Sequence, residues 1–125
     1  MLKDNLLKKT NMELNEYQEK AMGTCLPSCE NFSYMMLNLV GEVGEFAGKV
    51  AKSIRKDNAT IEVNDVFDMP NDTTMELKFE AGDILWQLAG LCKVMGWDLN
   101  DVAQCNLDKL ANRKKEGTII THQDH

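Results

Sequence analysis

Histidine, proline and net positive charge are scarce in this sequence, and each scarcity removes a class of protein. The 125 residues hold two histidines, His122 and His125, both in the tail, so no helix carries the Glu-x-x-His pairs of a ferritin-like di-iron bundle. Two prolines and eight glycines are too few for a turn-rich β fold and favour long helices. Lys and Arg number 14 against 20 Asp and Glu, giving a net charge of −6, whereas a nucleic acid polymer as partner calls for the opposite sign. The longest uncharged stretch, Asn31–Gly41, is 11 residues, against roughly 20 needed to span a bilayer. No basic-then-apolar leader opens the chain, and the expectation is a cytoplasmic protein with no membrane partner. Cys25, Cys29, Cys92 and Cys105 lack zinc-ligand spacing; the last two fall on apolar helical positions, as expected of buried free thiols in a reducing cytosol.

What is present is helical periodicity over the length of one domain. Residues 1–11 form a polar, Lys-rich lead-in, residues 12–117 the domain, and residues 118–125 a tail. A first helix is expected over Met12–Thr24, stopping before Pro27. A second, over about Glu30–Lys56, carries Phe32, Met35, Met36, Leu39, Val43, Phe46 and Val50 at steps of three and four. Residues 57–72 read as a long connection, unusual in holding Val66, Phe67 and Met69. Thr73 and Glu76 have capping-box spacing for a third helix, which runs to about Met95. Leu85 and Trp86 lie off its main stripe of Leu77, Ala81, Ile84, Leu88 and Leu91, so this helix should be buried on two sides. Gly96 closes it, and Asp98 or Asn100 caps a fourth helix that ends at Gly117. The expected fold is an all-α four-helix bundle. Helices apolar on two faces in so short a chain imply a homo-oligomer, dimer or tetramer.

The residues suited to chemistry lie on the two most apolar helices. Glu42 and Glu45 are three apart, as are Glu80 and Asp83, so each pair shares a helix face beside an apolar stripe. Four carboxylates meeting in a low dielectric repel unless protonated or bridged by cations. Oxygen ligands without His or Cys favour Mg²⁺, with Mn²⁺ as substitute, over zinc or copper. One such pair means little alone: Glu45 with Lys49 also reads as an ordinary i, i+4 ion pair.

The run Leu39-Val40-Gly41-Glu42-Val43-Gly44-Glu45, followed by Phe79-Glu80-Ala81-Gly82-Asp83-Ile84-Leu85-Trp86, resembles the MazG-like all-α nucleoside triphosphate pyrophosphohydrolases, whose signature is ExxE, a gap, then ExxD. Asn15-Glu16-Tyr17-Gln18 resembles the family's first helix, and Asn106-Leu107-Asp108-Lys109-Leu110-Ala111-Asn112-Arg113 its last. The gap is longer than usual, which makes residues 57–72 an inserted loop, and Thr121-His122-Gln123-Asp124-His125 stands where close relatives end in a Gly-Ser-Gly-Asp type tail. The resemblance implies Mg²⁺-dependent cleavage between the α and β phosphates, giving a nucleoside monophosphate and pyrophosphate. Glu42, Glu45, Glu80 and Asp83 would then hold metal, with Glu42 or Glu45 taking a proton from water. The rivals are a phosphoribosyl-ATP pyrophosphohydrolase and a non-catalytic helical binding or regulatory module with an acidic metal site.

Other residues carry two readings each. Asn106, Lys109 and Arg113 form one polar stripe able to grip phosphate, or are plain surface charges. Tyr17 and Trp86 are base-stacking candidates, although aromatics on apolar helices are more often core. Glu76 shares the face of Glu80 and Asp83, but its place in the capping box accounts for it. Gly41, Gly44 and Gly48 each cost roughly 0.5–1 kcal/mol of helix propensity. They allow close backbone approach, either near the metals or between packed helices.

Overall fold

The computed structural model describes residues 11–57 and 71–117, and every regular element among them is helical. Four α-helices follow in order, α1 (Leu14–Met22), α2 (Phe32–Asp57), α3 (Asn71–Val94) and α4 (Leu99–Glu116), with a one-turn 3-10 helix at Pro27–Cys29. Residues 1–10, 58–70 and 118–125, and with them most of the lead-in, the inserted loop with Val66, Phe67 and Met69, and the tail, lie outside the described residues.

Local chemistry sets the helix ends. The Asn31 carboxamide oxygen accepts the Tyr34 N–H at 2.7 Å and caps α2. Asp98 accepts the Asp101 N–H at 2.7 Å and caps α4, which stops at Gly117 in the left-handed region (φ 74°). Gly96 (φ 78°) makes the turn between α3 and α4. The expected capping box at Thr73 is not how α3 begins. The helix starts two residues earlier, at Asn71, so Thr73 already lies within its first turn, where Asp72 supplies the negative charge that a helix N-terminus favours.

Helices α2 and α3 run antiparallel along most of their length. Met35 meets Gly90 at one end, and Ser53 and Lys56 share a pocket with Thr73 and Glu76 at the other. Met35 is fully buried, and its flexible tip packs against Gly90, where an added Cβ would meet its Cε and Sδ atoms. Helix α1 lies on α3, and α4 docks by its first turns. The core they share is Ala21, Met22, Ala89, Cys92 and Leu99, edged by Tyr17, Cys25, Trp86 and Val102. Within one chain α3 is not covered on its second side: Leu85 and Leu88 stay more than a third exposed and Phe79 two-thirds exposed. Cys92 is the buried thiol expected, and burial pushes its pKa up. Cys105 is exposed, where a buried thiol was expected, because α4 is anchored only near its start; Cys25 and Cys29 pair across the 3-10 helix.

Gln18 ties three elements together at the end of this core. Its amide donates to the carbonyls of Ala89 and Trp97 (both 3.1 Å), and its oxygen accepts the Leu99 N–H (3.1 Å). Gln18→Leu keeps the volume but removes three hydrogen bonds around a buried site. At about 1 kcal/mol each, with unsatisfied groups costing more, urea denaturation should show a loss of about 3 kcal/mol. An unchanged midpoint would mean that Leu99, Val102 and the Asn100 N–H donated to the Asn15 side chain anchor α4 without Gln18.

Candidate active site

The antiparallel register brings the two acidic pairs to one place. Carboxylate oxygens of Glu42 on α2 and of Glu80 and Asp83 on α3 lie within 4.8 Å of one another. Glu45, one turn along α2, is exposed and lies beside Glu42, outside the group of three, so the structure gathers three of the four expected carboxylates and leaves the fourth at the rim. The pKa of Glu42 is raised by burial first, then by the hydrogen bond with Glu45 and the charges of Asp83, Glu45 and Glu80. Tyr17 borders the cluster from α1; burial and the charge of Asp83 push its phenol up. Glu80 is the most enclosed: its side chain is 14% exposed, its Oε2 lies 3.8 Å from the Lys49 ammonium, and its buried Oε1 has no hydrogen-bond partner among the described residues.

This donor set fits a hard divalent cation. It offers oxygen only, and it holds a buried carboxylate atom without a hydrogen-bond donor among the described residues. Oxygens on opposite sides of one Mg²⁺ sit about 4 Å apart, so small side-chain rotations would let the three carboxylates share an ion.

Other sequence candidates are placed elsewhere. Helix α4 packs mainly on α1, so the stripe of Asn106, Lys109 and Arg113 is not gathered into the carboxylate cluster within one chain. Asn106 and Lys109 are exposed and Arg113 is half-buried. Trp86 is held in the α1–α3 seam, its indole N–H donating to the Ala21 carbonyl (3.1 Å) and the Thr24 hydroxyl (3.0 Å). Sequence reasoning missed a basic group. Lys49 reaches across to Glu80 on α3, and Lys52, Ser53 and Lys56 continue its face of α2. The signal was there in the spacing i, i+3, i+4, i+7 that follows on from Glu42 and Glu45.

Comparison with known proteins agrees with this geometry. Residues 30–118 match the MazG nucleotide pyrophosphohydrolase domain, a span that holds all four carboxylates and the seam between α2 and α3. The chain is 34% identical over 115 residues to the Gene 37 protein of Mycobacterium phage L5, covering 86% of this chain and 94% of that one. No solved structure matches it. No helix among the described residues is long and apolar enough to cross a membrane. With the all-helical fold, the convergence of Glu42 with Glu80 and Asp83 and a match over most of its length, the chain belongs to the MazG nucleotide pyrophosphohydrolase domain family.

Proposed function

We propose that this protein is a Mg²⁺-dependent pyrophosphohydrolase that cleaves free nucleoside triphosphates between the α and β phosphates, releasing a monophosphate and pyrophosphate. The observation that carries the reading is the convergence of Glu42, Glu80 and Asp83 within 4.8 Å, with Glu80 Oε1 buried and lacking a hydrogen-bond partner among the described residues. Bound Mg²⁺, with Mn²⁺ as substitute, would neutralise phosphate charge and lower the pKa of a water. Glu42, Glu80 and Asp83 would hold it. Glu45, exposed at the rim beside Glu42, is then the carboxylate left to accept the proton of the attacking water. Lys49 balances part of the charge on Glu80 and keeps that carboxylate aimed at the seam. The working unit is a homo-oligomer, at least a dimer, with a nucleotide as partner and the cytoplasm as its place of action. Incubation with a panel of ribo- and deoxyribonucleoside triphosphates should release equal monophosphate and pyrophosphate, only with Mg²⁺ or Mn²⁺ present. Phosphate release in place of pyrophosphate, or no turnover on any triphosphate, would remove this reading.

The cluster also predicts how the cation and pH act on stability. Folding raises the Glu42 pKa above its ordinary 4.5. Its contribution is therefore fully favourable below that value and is lost as pH rises through the raised pKa. In chelator at pH 8, Glu42→Gln should unfold at a higher temperature than the wild type, and the gap should shrink as pH falls. Mg²⁺ at about a hundred times its dissociation constant should add roughly 2.7 kcal/mol to the wild type and close that gap from the other side. Identical melting in chelator and in millimolar Mg²⁺ would show that the carboxylates do not act together.

A further inference from the structure

We propose that a lysine-lined pocket at the far end of the α2–α3 groove receives the terminal phosphates of the triphosphate, the part that leaves as pyrophosphate. The identity of the anion rests on the hydrolase reading above; the pocket itself does not. Its volume is about 210 Å³, and its walls are Lys49, Lys52, Ser53 and Lys56 from α2 with Thr73 and Glu76 from α3.

Three observations point to a polyanion. The first is the sign of the charge. In a chain of net charge −6, three ammonium groups line one small pocket, against a single carboxylate, Glu76, on its wall. Lys52 and Lys56 have no ion-pair partner within 4.0 Å among the described residues, which leaves both ammonium groups available to an anion. The second is alignment. Lys49, Lys52 and Lys56 sit at i, i+3 and i+7, on the side of α2 that faces α3 and carries Glu42 and Glu45. At 1.5 Å per residue, Lys52 follows Glu45 by about 10 Å along the groove, a distance a flexible lysine stem narrows by reaching back. The third is continuity. Lys49 belongs to both regions, lining the pocket while its ammonium lies 3.8 Å from Glu80 Oε2. A linear triphosphate with its α phosphate at the carboxylate cluster would run its β and γ phosphates directly into these cations. The leaving side of the scissile bond then lies where positive charge is fixed, which is where charge develops as pyrophosphate departs.

The test is isothermal titration of the intact protein with tripolyphosphate in excess Mg²⁺, a measurement that needs no turnover. Wild type should bind, and Lys52→Gln and Lys56→Gln should each weaken binding about tenfold or more, while Lys56→Arg retains it. Affinity for a nucleoside monophosphate should be the same in all four proteins. Both glutamine variants replace exposed helical residues with a good helix former, and circular dichroism checks that the fold is kept. Unchanged tripolyphosphate binding in both glutamine variants, or no binding by wild type, would overturn the proposal; if triphosphate turnover were nonetheless normal, the hydrolase reading would stand without it. Conversely, binding that depends on Lys52 and Lys56 in a protein that hydrolyses no triphosphate would uphold the pocket and remove the hydrolase reading.

Discussion

Glu80→Gln is expected to lower triphosphate hydrolysis by on the order of a thousandfold, the scale seen when one preorganised electrostatic contact is deleted from an active site. The substitution keeps the shape of the side chain, so its effect is one of charge. Glu80 is the most enclosed member of the cluster, and its Oε1 is buried with no hydrogen-bond partner among the described residues. An amide at that position puts an NH₂ group or a neutral carbonyl where a cation needs a carboxylate oxygen. Lys49, now without its carboxylate, would sit as a bare positive charge beside the metal position. Loss of fold does not account for the expected defect, because removing one of several converging negative charges relieves repulsion in the folded state. Pyrophosphate release and Mn²⁺ titration should therefore fail together while the helical dichroism spectrum is unchanged. A Glu80→Gln protein with wild-type rate and Mn²⁺ affinity would show that the cluster is a solvated acidic seam and no more.

The meeting of Glu42 with Glu80 and Asp83 was legible in the sequence because helical spacing is local. Glu42 and Glu45, and Glu80 and Asp83, advertise a shared face within four residues, and the apolar stripes beside them say which face meets a neighbour. Asp98 and Gly117 were legible for the same reason, each being a cap read from its immediate surroundings. Thr73 misled because capping-box spacing does not say which of several polar residues starts the helix; Asn71 and Asp72 precede it and were taken into α3. Contacts between distant segments were not legible at all. Gln18 bonds to residues 71 to 81 positions away, and nothing in the periodicity around it marks it as a junction. Lys49 looked like the i, i+4 mate of Glu45, yet its partner is Glu80. That choice depends on the axial register of α2 against α3, a relation between segments far apart in the chain. The roles of Gly44 and Gly48 also needed the structure. They lie on the side of α2 turned away from the carboxylates, so close approach near a metal is not what they serve.

That outward side of α2 leads to the second large expected effect: Ala47→Glu should turn an oligomer into a monomer. At 100° per residue, Leu37, Val40, Gly44, Ala47, Gly48 and Ala51 fall opposite the buried face marked by Met35, Glu42 and Ser53. All six are exposed in the single chain, Leu37 at 73% and Val40 at 63%. A Cβ added at Gly44 or Gly48 would meet nothing within 4 Å. Small residues following two larger apolar ones allow the axes of two helices to approach closely, and an isologous contact would hide the strip on both copies at once. A second copy also answers a gap in the site. Helix α4 leaves Asn106 and Lys109 exposed and Leu107 59% exposed, away from the carboxylates of its own chain, where a neighbouring chain can use them. Glutamate at position 47 would face its own symmetry mate across such a contact, and juxtaposed like charges should weaken assembly by roughly a thousandfold. The chain itself should fold as before, since Ala47 is exposed and glutamate is a good helix former. Sedimentation equilibrium at micromolar concentration should give the wild type at least twice the 14.1 kDa of the chain and the variant a single chain, with hydrolysis falling in step. A wild type that sediments at 14.1 kDa with full turnover would mean that one chain completes the site and that this strip of α2 is simply open to water.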